Sequence, residues 1–167
     1  AAQGKMLDMA PAIERLNQSA AEMKRLNLLA QQAQALTCDL ESQNRLLENR
    51  LRDLQSAALL GSAPQGVAFT SGEHLQMTSK QNTILSAGQH LDMGAMKNIT
   101  LSASESVGLF AHQSGAKMIA NLGDVEIRAE ASSMEMTSEL LFTISSNKDE
   151  LLISAPKLRL NGGGSSI

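Results

Sequence analysis

Between residues 59 and 160, apolar positions come in pairs separated by one residue, and the pair recurs thirteen times. The pairs are Leu59/Gly61, Val67/Phe69, Leu75/Met77, Thr83/Leu85, Leu91/Met93, Ile99/Leu101, Val107/Leu109, Ala116/Met118, Val125/Ile127, Met134/Met136, Phe142/Ile144, Leu151/Ile153 and Leu158/Leu160. Only Gly61 and Thr83 break the apolar character, and two residues after each pair stands an Ala, Ser or Gly, from Ala63 to Gly162. The enclosed residue is polar in most units (Gln76, Asp92, Thr100, Lys117, Glu126, Glu135, Thr143, Arg159). Side chains that alternate in this way belong to an extended strand with one apolar and one polar face, about three to four residues long. Leu60, Ile84 and Leu152 are apolar at the outward position and are expected beneath a neighbouring element. Repetition this regular predicts a solenoid or fibre.

Ahead of the repeats the period changes. Residues 9–56 are rich in Ala, Leu, Gln, Glu and Arg, contain no Gly, and carry Pro11 where the first helical turn tolerates it. Ile13, Leu16, Ala20, Met23, Asn27 and Ala30 follow a 3-4 spacing, and Leu40, Leu47 and Leu54 recur every seven residues with Leu36 and Leu51 beside them. This is a coiled-coil-like seam, equally compatible with ordinary core packing. Thr37-Cys38-Asp39 interrupts the helix formers, which favours two helices over one long one. The turn formers of Gly61-Ser62-Ala63-Pro64-Gln65-Gly66 then mark the change of period.

A strand of about four residues with a corner of similar length covers one side of a triangular prism, so three units circle the axis once. One chain alone would give a stack about 20 Å tall with two exposed sheet ends. Three chains wound together would give sides about 60 Å tall. In that arrangement the inward side chains meet across a threefold axis, and the small residues sit at corners where chains pass closely. The repeat favours the second arrangement. The expected fold is therefore mainly β, an intertwined triple-stranded β-helix (triangular β-prism) formed by a homotrimer. Its N-terminal α-helical segment covers 1–57, and the β-helical region covers 58–167 and ends in a Gly-rich tip. The expected trimer core comprises Val67, Phe69, Leu75, Met77, Leu91, Met93, Ile99, Leu101, Val107, Leu109, Val125, Ile127, Phe142, Ile144, Leu158 and Leu160.

Composition supports a narrow, uniform interior, since the chain has three Phe, no Trp and no Tyr to fill an irregular one. The net charge of −3 is spread without a basic stripe, which argues against nucleic-acid binding. A single cysteine rules out an internal disulfide framework, and Cys38 is expected to be a buried or partly buried helix thiol. No apolar run reaches the roughly 20 residues a membrane span needs, and residues 1–12 do not read as a cleavable signal peptide.

Candidate chemistry is sparse. His74 and His90 share one position of the repeat, two units apart, and three chains would multiply them into rings. No cysteine or clustered carboxylate completes a metal-ligand set, so solvated corners are the expectation, with His112 on the surface. Thr83 would place three hydroxyls around the axis, where bridging water can satisfy them. Gly162-Gly163-Gly164-Ser165-Ser166 lacks the following helix that a phosphate cradle requires. It reads as a flexible tail or as a flat end on which three chains can crowd. No Ser/His/Asp set or paired carboxylate assembles a pocket, so neither an enzyme nor a cofactor is expected.

The stretch Leu59-Leu60-Gly61-Ser62-Ala63-Pro64-Gln65-Gly66-Val67-Ala68-Phe69-Thr70-Ser71-Gly72-Glu73-His74-Leu75 and the terminal Asn161-Gly162-Gly163-Gly164-Ser165-Ser166-Ile167 resemble the C-terminal needle of the VgrG (valine-glycine repeat) spike family of bacterial type VI secretion. The likeness covers about residues 58–167, and 1–57 are similar in character to the helical segment that often precedes the needle. The resemblance implies a trimeric puncturing needle assembled in the bacterial cytoplasm and secreted through the contractile machine into a target cell or the medium. It implies a PAAR-repeat cap on a tip formed by Gly162, Gly163, Gly164, Ser165, Ser166 and Ile167, secreted effectors as partners, and contact with the target-cell envelope. The family's baseplate-like and OB-type domains have no counterpart in these residues, nor does a catalytic extension. A phage tail-spike or trimeric adhesin shaft shares the physics, but would need a receptor-binding face rich in aromatics or loops. A carbohydrate-active β-helix would need longer coils and gathered carboxylates.

Overall fold

The computed structural model describes residues 10–53 and 59–163. Two helices, α1 (Ala10–Gln32) and α2 (Leu40–Asp53), pack against each other as an antiparallel hairpin. Every residue of the 3-4 series in α1 is shielded: Ile13, Leu16, Ala20, Met23 and Asn27 are half-buried and Ala30 is buried. Ala12 and Ala30, small enough for close approach, are the buried apolar residues among those described. In α2, Leu47 is half-buried, whereas Leu36 in the connection is exposed; Leu54 lies outside the described residues.

The break between the helices is specified by hydrogen bonds. Gln34 adopts φ 57°, the left-handed conformation that ends many helices. Its N–H donates to the Gln31 carbonyl (3.0 Å), and the Ala35 N–H donates to the Ala30 carbonyl (2.8 Å), which together make a Schellman motif with Gln where Gly is usual. Asp39 caps α2 by accepting from the Ser42 N–H at 3.2 Å, the expected N-cap to N3 bond. Asn27 then ties the connection to α1, its side-chain amide donating to the Cys38 carbonyl and accepting from the Cys38 N–H (3.1 Å). Asn44, the buried polar residue of α2, donates to the Leu16 carbonyl and sets the register of the pair. An exposed Lys24–Glu41 ion pair at 3.5 Å adds little. Cys38 itself is exposed, contrary to the buried or partly buried helix thiol expected, because it lies in the connection and is held there by its backbone.

The expected mainly-β fold is not what the chain forms. Among the described residues there are two helices and no strand, and the backbone–backbone hydrogen bonds outside the helices all fall between Leu29 and Ala35. Residues 59–163 run as short extended passes separated by bends. The reason is pairing. The chain meets the hairpin at Ser62 (Arg15), at Ser86 (Ser19) and at Gly108 (Leu36), returning to the same side about every 24 residues. A strand needs a laterally paired partner about 4.8 Å away, and among the described residues no pass of the chain bonds to another through its backbone.

The chain divides into two compact units, Ala1–Met118 and Ile119–Ile167. The first holds the hairpin and the repeats spaced strictly by eight, up to Val107/Leu109; the following pair comes nine residues on, and Gly115, at φ 81°, supplies the left-handed turn that takes up the added residue. The described part of the second unit has neither helix nor strand and is broken by bends at intervals of about nine residues. Its polar side chains bond locally: Arg128 pairs with Glu126 and Glu130, and the Ser138 hydroxyl donates to the Leu141 carbonyl at 3.2 Å.

Candidate functional site

Two surfaces carry the functional argument, and both lie along the repeats. The first is the side covered by the hairpin. The Arg15 guanidinium donates to the Ser62 hydroxyl (2.8 Å), and the Ser19 and Ser86 hydroxyls share a hydrogen bond of 2.7 Å. Glu22 lies over Gly88, and Leu36 rests so closely on Gly108 that a Cβ there would stand 2.8 Å from the leucine Cβ and Cδ1. The half-buried residues of the repeats are Leu60, Ile84 and Phe110, so the expectation that Leu60 and Ile84 lie beneath a neighbour holds, whereas Leu152 stays 76% exposed. A signal for this face was present in the sequence. Leu60, Ile84 and Gly108, the outward residues of every third unit, are all non-polar and recur every 24 residues.

The second surface is the row of paired apolar positions. None of the sixteen residues expected in the trimer core is buried in the single chain. Phe142 is 48% exposed, Leu101 66% and Leu109 79%, and the others fall between these limits. Thr83 does not stand alone, since its hydroxyl pairs with that of Ser79 at 2.9 Å. At the C-terminal end, Gly162 and Gly163 stand in open space, while Gly164, Ser165, Ser166 and Ile167 lie outside the described residues.

Among the described residues, no group of three or more His, Cys, Asp or Glu side chains is placed to hold a metal ion. His112 packs its ring 6.5 Å from that of Phe110 and borders a cleft of about 470 Å³ between α1 and the repeats; His74 and His90 are exposed. No helix among the described residues is long and apolar enough to cross a membrane.

Residues 47–167 match a family model described as an uncharacterized protein conserved in bacteria (DUF2345). The chain belongs to the DUF2345 family. The fold of this DUF2345 chain is similar to the VgrG spike from the type VI secretion system, with a TM-score of 0.88 and 30% identity over 98% of its length. A second solved structure, of the Tle1 effector bound to the VgrG spike, matches with the same TM-score and identity. The resemblance to a VgrG-type spike read from the two ends of the repeats is thus met by family and structure alike. The chain spans 62% and 51% of the lengths of those two solved chains. No curated protein matches it.

Proposed function

We propose that this chain is a structural segment of a type VI secretion spike and that it acts as a homotrimer. Its surface carries the reading. The single chain exposes 16972 Å², about twice the roughly 8,000 Å² of a folded monomer of 17.8 kDa. A stable protein–protein interface needs only about 800 Å² from each partner, so the excess is ample for contacts with two copies. The apolar row supplies the surface to be covered, and among the described residues the passes do not bond to one another through their backbones, so strand pairing falls to further chains. Identical repeats on every copy make the chain its own best match in spacing and chemistry.

On this reading the sixteen apolar residues from Val67 to Leu160 form the contact between copies, and the segment is a rigid shaft that helps to puncture a target envelope. The glycine-rich end, from Gly162 to Ile167, docks a PAAR-type cap, and effectors travel with the spike. The solved spike carrying a Tle1 effector supports effectors as partners of such a protein. Assembly takes place in the bacterial cytoplasm, and delivery follows secretion through the type VI machine.

The test is absolute mass in solution, by light scattering on a sizing column, for the wild-type chain and for Leu101→Asp. Leu101 is 66% exposed in the single chain, so a charge there costs an isolated chain almost nothing. Between copies the same change removes about 1.5–3 kcal/mol of apolar burial per chain and brings carboxylates together. Three chain masses for the wild type and one for the variant are expected. A wild-type monomer, or a variant trimer of normal stability, would refute the reading.

A further inference from the structure

Large apolar residues also occur off the paired row, and they are unevenly placed. Up to Leu109, Leu60 and Ile84 are half-buried, and Met96 is the one left open. Past Met118 the picture changes: Ile119, Leu122, Leu140, Leu141 and Leu152 all stand off the row, with Leu122 97% and Leu140 96% exposed. Ile119 follows Met118, Leu141 precedes Phe142, and Leu152 divides Leu151 from Ile153. Strict alternation therefore turns these three away from the paired face. The positions they occupy are polar in most other units, as Thr70, His74 and Gln76 show. Copies that cover the row leave such side chains on the outside.

The same stretch holds the chain's excess charge. Between Ile119 and Leu152 there are seven Asp/Glu and two Lys/Arg, whereas residues 59–118 carry three of each. One of the two cations, Arg128, is already paired with Glu126 and Glu130. Winding three copies together concentrates both features. Three units circle the axis once, so each edge of the prism carries corners of all three copies in turn, about 4.8 Å apart. The corner with Ile119 and Leu122 follows the eighth pair, and the corner with Leu140 and Leu141 follows the tenth. Taken from two copies, they share one edge at a separation of about 10 Å.

We infer that this edge is a docking surface for a partner protein whose binding segment is apolar at its centre and flanked by Lys or Arg. The inference rests on the homotrimer proposed above, which brings the two corners together, and adds an outward-facing surface to it. Charge complementarity selects the occupant. A further copy of the chain would bring an equally acidic belt, and an anionic lipid surface would be repelled in the same way. A basic partner is steered by the carboxylates and gains burial from the leucines, the usual division between the rim and the core of an interface.

The test uses the full chain, with two synthetic peptides as probes, one a short Leu-rich segment flanked by Lys and the other the same segment flanked by Glu. Vesicles of phosphatidylglycerol are a third probe. The Lys-flanked peptide should bind in a titration calorimeter. Leu122→Ser with Leu140→Ser, which leaves every charge in place, should weaken that binding at least about tenfold. Glu135→Gln with Glu139→Gln keeps the leucines, and should weaken binding and flatten its dependence on salt; this pair carries the test if the serine variant does not assemble. Undiminished binding by either variant, equal binding of the Glu-flanked peptide, or binding of the vesicles in place of the peptide would overturn the inference. So would a wild-type mass of two trimers, which would make a further copy the occupant. Light scattering on the same samples separates the failures: a trimer that ignores the peptide overturns the docking surface and leaves the homotrimer standing, whereas a monomer overturns both.

Discussion

Leu36 rests closely on Gly108, and Gly108→Ala tests this contact with a single methyl group. The new Cβ would lie 2.8 Å from the Leu36 Cβ and Cδ1 and 3.0 Å from its Cγ, so the leucine must retreat by about 1 Å to regain ordinary contact. Moving a side-chain tip would cost little, but the Leu36 Cβ moves only with its backbone. That backbone belongs to a connection fixed by the Gln34 turn at one end and the Asn27–Cys38 hydrogen bonds at the other. Overpacking of this kind costs about 1–3 kcal/mol. The two side-chain hydrogen bonds that tie α1 to Ser62 and Ser86 contribute about 0.5–1.5 kcal/mol each, so the penalty is comparable with the two together. The docked hairpin should lose about 5- to 150-fold in population. Amide hydrogen exchange across Ala10–Gln32, with sizing-column mass as a control on assembly, reads this directly. Exchange in α1 should quicken while the mass holds, and Leu36→Gly in the same chain should restore protection by removing the obstructing Cβ. Unchanged exchange in Gly108→Ala, or failure of the second substitution to rescue it, would falsify the argument that this contact seats the hairpin.

Two further substitutions examine the hairpin itself. Gln34→Gly relieves a left-handed residue that costs a side chain about 1–2 kcal/mol, so the helical signal should melt at a higher temperature; a lower midpoint would contradict the Schellman assignment. Asn27→Ala removes both hydrogen bonds to Cys38 and should cost about 1–3 kcal/mol, seen as faster thiol labelling of Cys38 and a lower melting point; unchanged labelling would show that the connection is held by other contacts.

Much of the hairpin could be read before the structure, because burial of a helix follows a period that single residues reveal. Ile13 to Ala30 all turn inward as the 3-4 spacing requires. The break was placed near Thr37 to Asp39, and Asp39 is indeed the cap of α2. The end of α1 was harder to see, since a Gln performs the turn that a Gly would have announced. The role of Asn44 was equally hidden, because a mid-helix Asn has no sequence signature until its partner, the Leu16 carbonyl, is known. In the repeats, the alternation that defines two faces was legible, but strand formation was not. Strands need a partner within about 4.8 Å, and the distance between returns of a chain is written in no residue. The covering of Leu60 and Ile84 came from their misplaced polarity alone; Leu152 shows the same polarity without the cover.

Gly115 and the added residue it accommodates bear on the fidelity of assembly. A repeat of perfect regularity has no unique alignment, since identical copies displaced by one unit would match almost as well as copies in step. Here the first seven pairs keep a beat of eight and the next three intervals keep a beat of nine. Copies displaced by one unit would agree along the early passes and then fall out by a single residue. Because alternate residues face opposite ways, a one-residue offset turns the apolar side chains to the wrong side until a later change of interval cancels it. In the homotrimer proposed above, the irregularity would serve as a proofreading mark, silent when copies align and costly where they do not.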